Sequence, residues 1–172
     1  KEGQIAGPKI LEHIVDVVLT FEGENSGQYR IIRATKNRFG TTNELALFEM
    51  CNAGLKQVTN PSEIFLSRDN GKEEKHGTCV FPSIEGTRTI LLEVQALVVD
   101  SFLATPRRAT VGWDQNRLAM LIAVLNARIN INLGNKEVYL NFVGGLKVSE
   151  PAADLAVMAA LISAAKNLHI PN

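Results

Sequence analysis

Between residues 14 and 50 three strand-like runs follow one another with only short polar breaks between them. The first, Ile14-Val15-Asp16-Val17-Val18-Leu19-Thr20-Phe21, is β-branched and apolar, the pattern of a largely buried strand. Glu22-Gly23-Glu24-Asn25-Ser26-Gly27 turns the chain. The second run is Tyr29-Arg30-Ile31-Ile32-Arg33-Ala34-Thr35, and the third is Glu44-Leu45-Ala46-Leu47-Phe48-Glu49-Met50. Three strands are too few to close a core by themselves. The pattern therefore predicts a sheet whose remainder lies upstream of Lys1, and the start at Lys1-Glu2-Gly3 and the stop at Pro171-Asn172 fit an excised piece of a longer protein.

Lys36-Asn37-Arg38-Phe39-Gly40 separates the second run from the third. Two β-rich runs divided by a short polar segment with a Gly read as a hairpin with a longer loop. Lys36 and Arg38 stand two apart at the start of that loop. A cationic pair on a rigid hairpin suits an anion outside its own fold, such as a phosphate. Spacing alone favours the plainer alternative, a solvated basic turn.

Upstream of these strands, Pro8 at a first helical position predicts a short helical turn over Lys9-Ile10-Leu11-Glu12-His13. Asn52-Ala53-Gly54 is a turn, and Asn60-Pro61-Ser62-Glu63 starts a short apolar helix through Ile64-Phe65-Leu66. Residues 67–77 are polar without periodicity and read as a linker. The expected organisation is a first part over 1–66, the linker 67–77, and a second domain over 78–172. The second domain reads as β-β-α-β-α: strands at 78–81, 89–99 and 138–143, and two helices. Asp114 caps the first helix, with Leu118, Leu121, Ile122 and Leu125 as its apolar stripe. Ser149-Glu150-Pro151 starts the second, with Leu155, Met158, Leu161 and Ile162 as its stripe. The fold class is mixed α/β, of the α+β kind.

Lys and Arg number 18 and Asp and Glu 18, so the net charge is zero, which argues against non-specific polyanion binding but leaves room for a local basic patch. No apolar run is long enough for a membrane span. Cys51 and Cys79 lack metal or disulfide spacing and read as reduced structural thiols of a cytoplasmic protein. P-loop, zinc-protease, nucleophile-elbow and EF-hand motifs are absent, and no metal site is expected. Gly144-Gly145 reads as a loop exit rather than an anion cradle, and Trp113 as a packing residue rather than a stacking platform. Arg107, Arg108 and Arg117 gather near one helix start, with Arg88, Arg30 and Arg33 adding cations. They form either a phosphate-contacting patch or ordinary surface ion pairs. His13, His76 and His169 are scattered and read as neither ligands nor catalysts, and Ser62, Ser149 and Ser163 lack a base at useful spacing.

The Lys36–Gly40 stretch resembles the KNRFG motif of the bacterial RadA (Sms) family, RecA-like DNA repair ATPases. The resemblance continues through Ile5-Ala6-Gly7-Pro8-Lys9-Ile10-Leu11-Glu12-His13-Ile14-Val15-Asp16, Thr41-Thr42-Asn43-Glu44 and Phe48-Glu49-Met50. It extends through Asn60-Pro61-Ser62-Glu63, Glu85-Gly86-Thr87-Arg88, Pro106-Arg107-Arg108, Asn116-Arg117-Leu118 and Glu150-Pro151-Ala152-Ala153-Asp154-Leu155-Ala156. It thus covers essentially the whole chain.

The family's implied order is a zinc finger, a Walker-type ATPase core and a Lon-protease-like domain. The resemblance makes residues 1–66 the end of a RecA-like sheet and 78–172 most of a Lon-like domain, incomplete at its C-terminus. Zinc then belongs to the finger, and ATP with Mg2+ mainly to the core, both outside this chain. Lys36 and Arg38 match a K-x-R pair that reaches across a subunit interface to a neighbour's ATP, with Arg38 as the finger and Lys36 at the γ-phosphate. Laid on the Lon active-site stretch, the nucleophile position falls on Ala153 with Asp154 beside it, so the peptidase site is degenerate. The implied function is a DNA-dependent motor in recombinational repair and branch migration, partnered by single-stranded or branched DNA and a RecA-type recombinase. The implied assembly is a hexamer, with the Lon-like part as scaffold and Arg88, Arg107, Arg108 and Arg117 as DNA-binding candidates. The alternatives are a stand-alone oligomerisation and DNA-binding module, or a Lon-like serine peptidase.

Overall fold

The structure, a computed structural model, describes residues 10–22, 29–42, 45–60, 62–66, 75–85 and 88–171. It is mixed α/β, as expected. The chain divides into two compact units, Lys1–Thr59 with Ile84–Thr89, and Asn60–Ser83 with Ile90–Asn172. Most of the expected linker falls outside the described residues.

In the first unit a short helix α1 (Ile10–Ile14) leads into β1 (Val17–Glu22), β2 (Tyr29–Asn37), β3 (Leu45–Cys51) and β4 (Gly54–Gln57). The strands lie in sheet order β1-β2-β3-β4, each antiparallel to the next. Strand β1 starts three residues later than its apolar run because Ile14 ends α1 and the Val15 N–H still donates to the Leu11 carbonyl. Strand β4 was not expected. Its sequence Gly54-Leu55-Lys56-Gln57 holds one large apolar residue, and all four are exposed. Backbone pairing to β3 across the Asn52-Ala53 turn makes it a strand, with Cys51 opposite Gly54. On one face of the sheet Ile31 and Leu47, paired across β2 and β3, are buried. On the other, alternate residues Val17, Leu19 and Phe21 are 41%, 55% and 64% exposed.

The second unit contains α2 (Ser62–Phe65), β5 (Thr78–Glu85), β6 (Arg88–Asp100), β7 (Arg108–Val111), α3 (Gln115–Arg128), β8 (Lys136–Phe142) and α4 (Ala153–Lys166). The sheet order is β5-β6-β8-β7. Strand β7 pairs parallel to β8, with α3 as the crossover between them, and β6 runs antiparallel to β8. Strand β7 went unread because Arg108-Ala109-Thr110-Val111 is four residues long and directly follows a polar loop. The order is therefore β-β-β-α-β-α.

Helix α3 forms as its sequence dictates. Asp114 Oδ1 accepts the Arg117 backbone N–H at 2.7 Å, and the buried residues are Leu118, Leu121, Ile122 and Leu125. They belong to the buried apolar core, which also includes Leu92, Val94, Val138, Leu140 and Phe142. Full burial of each such side chain contributes about 1.5–3 kcal/mol before entropy is counted.

Helix α4 differs from expectation in its start and in part of its buried face. It begins at Ala153, after a tight turn in which Ala153 and Asp154 N–H groups donate to the Glu150 and Pro151 carbonyls. Its buried residues are Ala153, Ala156, Val157, Ala160, Leu161 and Ser163, whereas Leu155 is 76% exposed. Of the expected stripe, Leu161 is buried, Met158 and Ile162 are half-buried and only Leu155 points outward, while small residues fill much of the buried face. Gly144-Gly145 is a loop exit, as expected. Gly144 has φ 86°, and a β-carbon there would collide with the ring of buried Phe65.

Candidate functional site

The Lys36–Gly40 loop is built from the end of β2. Val18 pairs with Lys36, yet Leu19 pairs with Ala34, so Thr35 is an extra residue in β2. Such a bulge re-aims the side chains beyond it. Thr35 Oγ1 donates to the Val18 carbonyl at 3.4 Å. Past the bulge, Asn37 shapes the tip: its Oδ1 accepts the Phe39 N–H at 3.0 Å and its Nδ2 donates to the Thr41 carbonyl at 3.3 Å. A β-carbon at Gly40 would come within 3.2 Å of that Nδ2, so the Asn37 amide would have to shift by a few tenths of an ångström. Phe39 stands 81% exposed at the tip.

Both cations turn toward the corner between α1 and β1. Lys36 Nζ donates to the Glu12 carbonyl at 2.7 Å and to the His13 carbonyl at 3.3 Å, at the C-terminal end of α1. An ammonium there also meets the negative end of the helical turn. Arg38 Nη1 pairs with Asp16 Oδ1 at 3.0 Å, and the Arg38 backbone N–H donates to the Asp16 carbonyl at 3.0 Å. Asp16 thus forms one more rung on the β1–β2 ladder. Sequence reading found the loop but missed Asp16 and the two carbonyls. The signal was the position of Asp16 just before β1, and the Thr35 bulge concealed the register that pairs it with Arg38.

The four arginines proposed for DNA contact have different surroundings. Arg88 begins β6, and its side chain lies outside the described residues. Arg107 is exposed beside Tyr139. A hydrogen bond to Glu137 at 2.6 Å, with burial second, raises the Tyr139 pKa above its ordinary value, and Arg107 opposes the shift. Arg108 begins β7 half-buried, with its Nε lacking a hydrogen-bond partner among the described residues.

Arg117 is held internally. Its guanidinium lies 4.6 Å from the Trp113 ring centroid, its Nε meets Asp154 Oδ1 at 2.7 Å, and Nη1 and Nη2 donate to the Ser149 and Glu150 carbonyls. Trp113 stacks on Phe142 with centroids 5.3 Å apart, so it packs, as expected, and carries Arg117 on its face. Ala153 is fully buried at the start of α4 and offers no nucleophile, while its neighbour Asp154 is the partner of Arg117. Ser163 is buried and occupied: its hydroxyl donates to the Leu168 carbonyl and accepts the Gly77 N–H. Cys51 and Cys79 are free thiols, and partial burial pushes the Cys79 thiol upward.

The histidines are less scattered than the sequence implied. His76 and His169 pair across an isolated antiparallel bridge, and His13 stands apart in α1. Among the described residues no three His, Cys, Asp or Glu gather as a metal site. Nor is any helix among them long and apolar enough to cross a membrane.

No family model matches the chain. It is 57% identical over 171 residues to the DNA repair protein RadA of Rickettsia felis, covering 99% of this chain. The chain is homologous to a segment of RadA. The RadA of Pseudomonas aeruginosa is 55% identical over 172 residues, 100% of this chain, and that of Aquifex aeolicus 50% over 171 residues, 99% of it. The homology to RadA therefore runs through both units, from the Lys36–Gly40 hairpin to the Arg117–Asp154 cluster. The chain spans 38% of the length of each of these three RadA proteins.

Proposed function

We propose that this chain is part of a DNA-dependent ATPase that drives branch migration in recombinational DNA repair, with Lys36 and Arg38 acting on the ATP of a neighbouring subunit. The observation that carries this reading is the braced tip of β2, which holds two cations two residues apart beside an exposed Phe39. ATP and Mg2+ are held mainly by chain outside this segment, and zinc by an N-terminal finger. A guanidinium delivered from a neighbour stabilises charge developing on the γ-phosphate and is worth roughly 10³ to 10⁵ in rate in NTPases. Lys36 supplies a point charge that contacts the γ-phosphate and responds to its loss. The second unit is a Lon-like part without peptidase chemistry, since acyl transfer needs a nucleophile and Ala153 has none. It serves a homohexamer as scaffold, with Arg88, Arg107 and Arg108 as a DNA surface, and a RecA-type recombinase is the partner in repair.

Arg38→Ala in the full-length protein is expected to abolish DNA-stimulated ATP turnover while nucleotide binding stays nearly intact. Turnover assays with a fluorescent-nucleotide titration check this, and wild-type turnover would refute the finger role. A second reading, an oligomerisation and DNA-binding module, is favoured by the exposed Val17, Leu19 and Phe21. Light scattering of the segment with and without single-stranded DNA tests it: a strict monomer that ignores DNA contradicts it. Digestion of casein by the complete second domain is expected to be nil.

A further inference from the structure

We infer that Asp16 is the positioning residue of Arg38, and that the corner at residues 12–16 sets the aim of the Lys36/Arg38 pair. The inference rests on the finger role of Arg38 and adds what orients it. One residue holds Arg38 at both ends. The Asp16 carbonyl accepts the Arg38 backbone N–H, and the Asp16 carboxylate takes Nη1, each at 3.0 Å. Main chain and guanidinium are thereby fixed relative to the start of β1.

The manner of contact separates aiming from sequestration. The strongest arginine–carboxylate pairs are bidentate, with two parallel N–H···O bonds that occupy the guanidinium fork. The Asp16 carboxylate is hydrogen-bonded to Nη1 alone, and the guanidinium fork has five N–H donors, so most of them remain for a phosphate. The pair is exposed on both sides, with relative side-chain accessibilities of 57% and 51%, so an anion can approach without breaking it. Lys36 is held the same way, by two carbonyls of α1 against three ammonium donors. Both cations are thus oriented by the corner just before β1, and they share a side because they stand two residues apart beyond the Thr35 bulge.

Transition-state contacts depend steeply on placement, so a loosened Arg38 loses rate rather than nucleotide affinity. In the full-length protein, Asp16→Ala is expected to lower kcat for DNA-stimulated ATP hydrolysis about tenfold with KM for ATP changed less than about twofold. Asp16→Glu is expected to recover most of the loss, and Asp16→Ala added to Arg38→Ala to cost nothing more. Turnover at or above wild type in Asp16→Ala, with Arg38→Ala inactive, overturns the positioning role alone. Normal turnover in Arg38→Ala overturns the finger and the positioning role together. A loss in Asp16→Ala that Asp16→Glu does not recover, joined to a lower melting temperature, makes Asp16 merely structural and also overturns the inference.

Discussion

Residues with chemical potential often turn out to hold the fold, and Arg117 is the clearest case. Its side chain is only 20% exposed, and its guanidinium joins Trp113, Asp154 and two carbonyls before α4. Arg117→Ala removes the ion pair, the ring contact and both carbonyl bonds, and leaves Asp154 at 35% exposure without its partner. The expected cost is about 2–4 kcal/mol, read by urea unfolding. Arg117→Lys should recover less than half, because an ammonium lacks the planar fork that meets ring, carboxylate and carbonyls together. Tyr139 makes a separate prediction. Its raised pKa means that folding favours the neutral phenol, so the contribution is complete below the unfolded value near 10 and is lost as pH rises through the higher folded value. Tyr139→Phe should remove that alkaline slope of stability. The motif loop was legible because its residues are unusual. Its partners were not, because carbonyls carry no sequence signal and Asp16 looks like any polar residue before a strand.

Elements were legible in proportion to how many independent signals agreed. For α3 the cap and the four-leucine-type stripe said the same thing, and the helix formed accordingly. For α4 the two signals disagreed: no side-chain cap is made, and alanines occupy the buried face. Close packing of small residues leaves no room for larger ones, so Ala160→Leu is expected to cost about 1–3 kcal/mol by overpacking. Leu155→Ser, on the opposite side, should stay within about 0.5 kcal/mol of wild type. Chemical denaturation of both variants checks the face, and a reversed order would restore the stripe through Leu155. Strands β4 and β7 share a different reason for being missed. Each has four residues, too few for alternation to stand out, and each exists because a longer neighbour offers a ladder.

At the scale of the whole chain, equal numbers of acidic and basic residues leave DNA affinity to local arrangement. With Arg117 occupied internally, three candidate arginines remain. Single-strand binding by this segment is then expected to fall with salt at a log–log slope of about −2, at roughly 0.7 per neutralised phosphate. A slope beyond about −4 would mean that other cations carry the contact. Titrations between low and moderate salt give the number directly. The two units do not follow the order of the chain, since Ile84–Thr89 groups with the first unit and Ser62–Phe65 with the second. The open row of Val17, Leu19 and Phe21 also governs how any mass measurement should be run. Association through that row strengthens in kosmotropic salts such as sulfate, which drive apolar surfaces together, whereas assembly through charge weakens as ionic strength rises. The direction in which mass moves along a sulfate series therefore reports which surface brings copies together.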